Sequence, residues 1–236
     1  ILELGSVDLV FTVAGWVADD FPEPMAVYYT FGKSVPEQRA AGLYKRLDEI
    51  AREEKGLTFL GVLYGTYFNI WLKEPIKTLD NLKGRKLRSV PFYDPIFKGL
   101  GISTVSVAYA ELYTALERGV VDGTGFPDIG IFDIGAENIL KYVVYPPMFY
   151  GADVFIIMNA KSFDALPGDL QKLLVDTIIE VENELIPSIF GPKAALEINK
   201  LRTKHRLQAI EITEAEWREI QRLHWEGGTK DLLRMS

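Results

Sequence analysis

The chain has 236 residues, 48% of them hydrophobic and 25% charged, which suits a folded globular protein of one large domain or two lobes. A net charge of −7 argues against non-specific binding to nucleic acid or anionic membrane, since both need a basic face; an anionic ligand must be held by local donors. With no cysteine, disulfides, thiolate catalysis and cysteine-ligated metals are excluded.

In chain order, the residues from Ile1 read as a helix end stopped at Gly5, followed by a buried strand over Val7–Val13. The apolar run Leu9–Ala18 is too short to span a bilayer and, with Asp8 before it, is wrongly flanked for a signal peptide. Phe21-Pro22-Glu23-Pro24 forbids regular structure. Ser34 or Val35 opens a helix with Pro36 and Glu37 in its first turn, carrying Leu43, Leu47 and Ile50 at helical spacing to a stop at Gly56. Leu57–Tyr64 reads as a buried strand, and the next residues crowd Tyr64, Tyr67, Phe68 and Trp71 together. Thr78 caps a turn ended by Gly84, before a strand over Lys86–Val90. A proline-interrupted segment, a strand Thr104–Val107, a helix Tyr109–Arg118 and a strand Val120–Val121 follow. Gly123–Asp128 is expected as a turn and Ile129–Leu140 as a helix, with a strand over Val154–Met158.

Leu170–Arg206 is the longest helical stretch, with a kink or break expected at Pro187 and Gly191-Pro192. A strand over Leu207–Ile212 and a capping box at Thr213–Glu216 lead into a final helix, expected to end at Gly227-Gly228. Alternating helices and strands imply an α/β fold with mainly parallel sheet.

Two segments share the pattern L-E-x-G-x-V-D: Leu2–Asp8 and Leu116–Asp122. The second follows a full helix, whereas the first starts almost at its glycine. One reading is a duplicated helix–glycine–strand unit whose upstream part is absent; the other is coincidence, because helix–glycine–strand units are common in α/β proteins. No nucleophile elbow, zinc-binding H-E-x-x-H or phosphate loop is present, and His205 and His224 lie in carboxyl-terminal helices, so no enzyme is read.

The run Pro75–Arg88, then Gly101, then Glu111–Gly123, and later Asn159 with Phe163-Asp164-Ala165-Leu166-Pro167 and Leu170-Gln171, resembles the solute-binding subunit of TRAP transporters, the DctP-type family. The resemblance implies a two-lobed periplasmic-binding-protein-like α/β fold (type II-like). Each lobe would be a mainly parallel sheet flanked by helices, with a long kinked helix bracing both. Residues 1–63 and 151–190 are expected in one lobe, and 64–150 and 191–236 in the other. It implies a periplasmic protein that captures an organic acid between its lobes and delivers it to a membrane permease. The expected partners are a small carboxylate and the TRAP permease subunits, with no nucleic acid, no cofactor and a monomeric state. It also implies that a βαβ-sized portion precedes Ile1.

In that family the arginine of the L-K-G-x-K-x-R pattern pairs with the solute carboxylate; here it is Arg88, whose planar fork suits a carboxylate. Some relatives carry an asparagine where Phe126 stands, and a second arginine of sialic-acid-type members is replaced near Tyr67. Both departures exchange polar contacts for aromatic surface. A monocarboxylate with an apolar or aromatic body is therefore expected among Trp16, Tyr64, Tyr67, Phe92 and Phe126, with Asp128 and Asp153 accepting from a ligand hydroxyl or amine. Trp16 is expected to match Phe126 through the repeat. No dense carboxylate pattern marks a metal site. The competing classes are an α/β enzyme acting on a carboxylated small molecule and a ligand-free interaction module.

Overall fold

The computed structural model describes residues 2–30 and 32–235, so the expected helix end at Ile1 lies outside the described residues. The strands are β1 (Leu9–Thr12), β2 (Leu57–Leu72), β3 (Lys86–Ser89), β4 (Ser103–Ser106), β5 (Gly123–Pro127), β6 (Tyr142–Tyr145), β7 (Phe149–Asn159) and β8 (Gln208–Glu211). The α-helices are α1 (Ala14–Val17), α2 (Val35–Ala40), α3 (Leu43–Ile50), α4 (Asp94–Gly99), α5 (Leu112–Glu117), α6 (Ala160–Asp164), α7 (Gly168–Glu180), α8 (Ile186–His205) and α9 (Glu214–Met235). They divide into two compact units: Ile1–Gly65 with Gly151–Gly191 and Met235–Ser236, and Thr66–Tyr150 with Pro192–Arg234.

In the first unit β1 pairs antiparallel with β7, from Leu9 opposite Met158 to Thr12 opposite Phe155. Leu60, Ile156, Met158, Phe163 and Ile178 close a core between these strands and the helices α6 and α7. Ser34 and Glu37 form the capping box of α2. Gly42, at φ 84°, splits the single helix expected here into α2 and α3. The unit's tightest knot ties α2 to a π-helical turn, Val181–Leu185, that joins α7 to α8. Arg39 is paired with the fully buried Glu182, and its Nη2 also donates to the Leu60 carbonyl at 2.9 Å. The Val62 amide donates to the same carboxylate at 3.0 Å. A Cβ on Gly61 would stand 2.3 Å from Glu182 Oε1, so any side chain there must displace the ion pair.

In the second unit β3 runs parallel to β4 and β5, while β5 is antiparallel to β2. β6 is antiparallel to β2 and parallel to β8. The sheet is thus mixed: the parallel expectation holds around β3 and β8 and fails along β2 and β7. Trp71, Leu112, Leu116, Val121, Phe126, Ile131 and Leu201 are among its core.

Several expected boundaries change, and each change has a local cause. The strand expected at Val120–Val121 begins at Gly123, so the expected turn is itself β5. Its glycines serve close approach: a Cβ on Gly123 would lie 2.2 Å from the Trp71 carbonyl, and one on Gly125 2.6 Å from the Tyr93 ring. β2 runs 16 residues, through the aromatic stretch and on to Leu72. The helix expected over Ile129–Leu140 is irregular except for a 3₁₀ turn at Ala136–Asn138, because Gly130 (φ 96°) and Gly135 (φ 69°) leave the helical region. Residues 168–205 stay helical through both prolines. The wider π turn just before Pro187 makes room for a ring that would otherwise meet the carbonyl four residues back. Gly227-Gly228 does not end α9; a Cβ on Gly227 would press on Pro95 at 2.8 Å.

The repeated pattern takes the same form twice. Gly5 and Gly119 are both left-handed, at φ 68° and 71°, and Asp8 and Asp122 each stand just before a strand. The Asp8 carbonyl accepts from the amide of Asn159, the last residue of β7, and the Asp122 carbonyl from that of Lys73, just past β2. Each post-repeat strand then pairs antiparallel with the long strand so joined.

Candidate functional site

The second unit gathers its polar and aromatic candidates at the carboxyl ends of parallel strands, where open α/β sheets bind ligands. Arg88 lies on β3 opposite Val105 of β4 and Thr124 of β5. Phe126 is two residues beyond Thr124 and is paired with Asn69 of β2. Residues directly opposite, and residues two apart, share a face, so Arg88, Asn69 and Phe126 emerge on one side of the sheet, and Asp128 follows just past the end of β5. Tyr109 follows β4 on the same edge.

Arg88 is 6% exposed and is the one buried arginine or lysine among the described residues. Its Nε donates to the Val107 carbonyl at 3.2 Å. No carboxylate lies within ion-pair distance among the described residues, and its Nη atoms make no hydrogen bond there, yet they are not sealed from solvent. Burial lowers the proton affinity of the guanidinium, and nearby Tyr93 and Tyr109 oppose that. A buried cation with its fork unused is an electrostatic cost that an incoming anion would relieve.

Phe126 is buried, with the Tyr109 ring stacked over it at 6.1 Å and 23° and Trp71 Nε1 donating to its carbonyl at 3.1 Å. Nothing in the sequence pattern singles out Tyr109. It is 47% exposed; burial pushes its phenol up and so does Asp133, while Arg88 pulls it down, which places it within reach of that charge. Asp128 accepts from the Thr66 hydroxyl, and its own amide donates to the Tyr67 carbonyl at 3.0 Å. Burial raises its carboxyl above the usual range, and Glu197 of α8 adds to this. Tyr67 is half-exposed and meets Tyr150 edge-to-face at 5.3 Å. Phe92 does not join this group: it is buried among Phe68, Tyr93 and Phe149, as core.

In the first unit, Asp153 on β7 is buried and accepts from the Tyr28 hydroxyl and the Val154 amide, both at 2.8 Å. Burial pushes its carboxyl up to about 6. Val154 is held at φ 55°, a costly conformation for a β-branched residue. Tyr64 is half-buried and meets Phe190 edge-to-face at 4.6 Å. Trp16 is 69% exposed on α1, four residues beyond the end of β1, whereas Phe126 lies inside β5. The expected equivalence of their rings therefore fails, because Trp16 is eight residues past its repeat's aspartate and Phe126 only four. Among the described residues no group of three or more histidine, aspartate or glutamate side chains is gathered as a metal would need. No helix there is long and apolar enough to cross a membrane.

The chain matches the family described as bacterial extracellular solute-binding protein, family 7 (DctP), over residues 39–225. It is 29% identical over 136 residues to a solute-binding protein of Sulfitobacter sp., a match covering 55% of this chain and 40% of that one. It is 24% identical over 164 residues to the monocarboxylate 2-oxoacid-binding periplasmic protein of Nostoc sp., covering 64% and 44%. The aligned part is thus less than half the length of either relative. A TRAP periplasmic solute-binding protein of Desulfovibrio salexigens, solved with bound orotic acid, has the same fold: TM-score 0.84 at 22% identity, covering 99% of this chain and 76% of that one. This chain belongs to the DctP family of extracellular solute-binding proteins.

Proposed function

We propose that the chain is the extracytoplasmic, periplasmic receptor of a TRAP-type transporter, not an enzyme. It captures a small organic acid and passes it to the membrane permease. The observation that carries this reading is Arg88, buried at a strand end with its guanidinium fork unmatched by any carboxylate among the described residues. A fork of that kind fits a carboxylate bidentately. Tyr109 over Phe126, and Tyr67 beside Tyr150, supply flat apolar surface for the rest of the molecule, which supports a monocarboxylate with an apolar or aromatic body. The names of the Nostoc relative and the Desulfovibrio structure point to acids of compatible chemistry.

The test is calorimetric titration of a panel of small carboxylates against the wild type and Arg88→Ala. Leaving a carboxylate buried without its partner costs about 3 kcal/mol or more, so the variant should lose affinity on the order of a hundredfold. Arg88→Lys, with a point charge in place of a fork, should fall between the two. Equal affinity in the wild type and Arg88→Ala would overturn the anchor. A panel in which only sugar acids or dicarboxylates bind would overturn the apolar-body assignment.

A further inference from the structure

The aromatic stretch of β2 contains one side chain out of character with it. Asn69 stands between Phe68 and Ile70 in the 16-residue run Leu57–Leu72, and it is 4% exposed. Buried amides are almost always hydrogen-bonded, since leaving one unpaired costs about 1–3 kcal/mol. The Asn69 side chain makes no hydrogen bond among the described residues, and its atoms are not enclosed as an internal void would enclose them. Its orientation follows from register. Asn69 is directly opposite Phe126, and Arg88 is opposite Thr124 two residues earlier on the same strand, so amide and guanidinium emerge on the same face with β5 between them. From the strand spacing and rise, their Cα atoms lie about 12 Å apart. A short side chain and a long one can converge from that separation on the two ends of one small molecule.

Resting on the reading of Arg88 as the carboxylate anchor, we propose that Asn69 is a specificity-determining residue, reading a hydrogen-bonding oxygen that the acid carries away from its carboxylate. The ligand class is then an oxo- or hydroxy-substituted monocarboxylate with an apolar body. Asn69 supplies the polar contact that the aromatic residues Tyr67 and Phe126 do not. Its amide presents both a donor and an acceptor, which suits a carbonyl or a hydroxyl.

Two matched pairs of probes isolate that oxygen: pyruvate with propionate, and phenylpyruvate with 3-phenylpropionate. Calorimetry on the wild type should favour the oxo acid of a pair by about tenfold or more. Asn69→Leu, close in shape and without polar atoms, should erase that preference while leaving the unsubstituted acids within about threefold; Arg88→Ala should weaken all four. A second measurement needs no ligand. If the amide has no internal partner, Asn69→Leu in the free protein melts at or above the wild-type temperature. A preference that survives Asn69→Leu, an equal loss for both members of a pair, or a marked fall in melting temperature would each overturn the assignment. A wild type that binds none of these acids, nor any other small carboxylate, would instead remove the anchor reading on which it stands.

Discussion

Asp153 shows how a single buried carboxyl ties stability to pH. It holds its proton more tightly in the folded chain than in the unfolded one, where its value is near 3.8, because burial raises it to about 6. The group therefore favours folding at low pH, and that contribution is lost as pH climbs through the window from 3.8 to about 6. Above it the ionised side chain costs about 3 kcal/mol relative to a neutral isostere. Asn keeps an oxygen for the Tyr28 hydroxyl and the Val154 amide, so Asp153→Asn should melt close to wild type near pH 4 and clearly higher above pH 7, by roughly 6–12 °C. Equal differences at both pH values would mean that the ionised form is not penalised.

At the scale of elements, the π turn Val181–Leu185 depends on one buried ion pair. Glu182→Ala would leave Arg39 and the Val62 amide without their acceptor, at a cost of about 3–5 kcal/mol. Gly61→Ala would push the same carboxylate aside from the opposite wall, at about 1–3 kcal/mol. Both should lower the urea midpoint of unfolding without changing its slope, and wild-type midpoints would show that the turn does not rely on the pair. This knot also marks where sequence reading stops. Gly56 and Gly84 could be read as stops because their cause, a left-handed φ, is local. Gly123, Gly125 and Gly227 look like turns or ends in the sequence, but their cause is a distant neighbour: the Trp71 carbonyl, the Tyr93 ring, Pro95. Arg39 and Glu182 are 143 residues apart, and nothing in the pattern of either predicts the other. The site divides in the same way. The candidate Arg88 stands in a local motif, whereas the candidate Asn69 depends on strand register and Tyr109 on a ring contact, each of which sets it beside Phe126.

The whole molecule sets a different constraint, since it carries seven more negative than positive charges while its candidate anchor must attract an anion. Among exposed charges such a field repels a monoanion weakly, and salt screens it: the Debye length shrinks from about 30 Å at 0.01 M to about 8 Å at 0.15 M. The pairing of a carboxylate with buried Arg88 is screened far less, because no mobile ion enters a desolvated contact. The two effects predict a salt dependence opposite to that of a basic patch. Between about 0.01 and 0.15 M of an inert salt, the affinity for a bound monocarboxylate should hold within about threefold, and any drift should be toward tighter binding as the general repulsion is screened. A basic-surface mechanism predicts weakening with salt instead. Titration calorimetry at both ionic strengths separates them, and a tenfold loss of affinity at the higher one would place the anion among exposed lysines and arginines. On the proposed reading of Arg88, the small anion is held by one desolvated guanidinium while the remainder of an acidic surface works slightly against it.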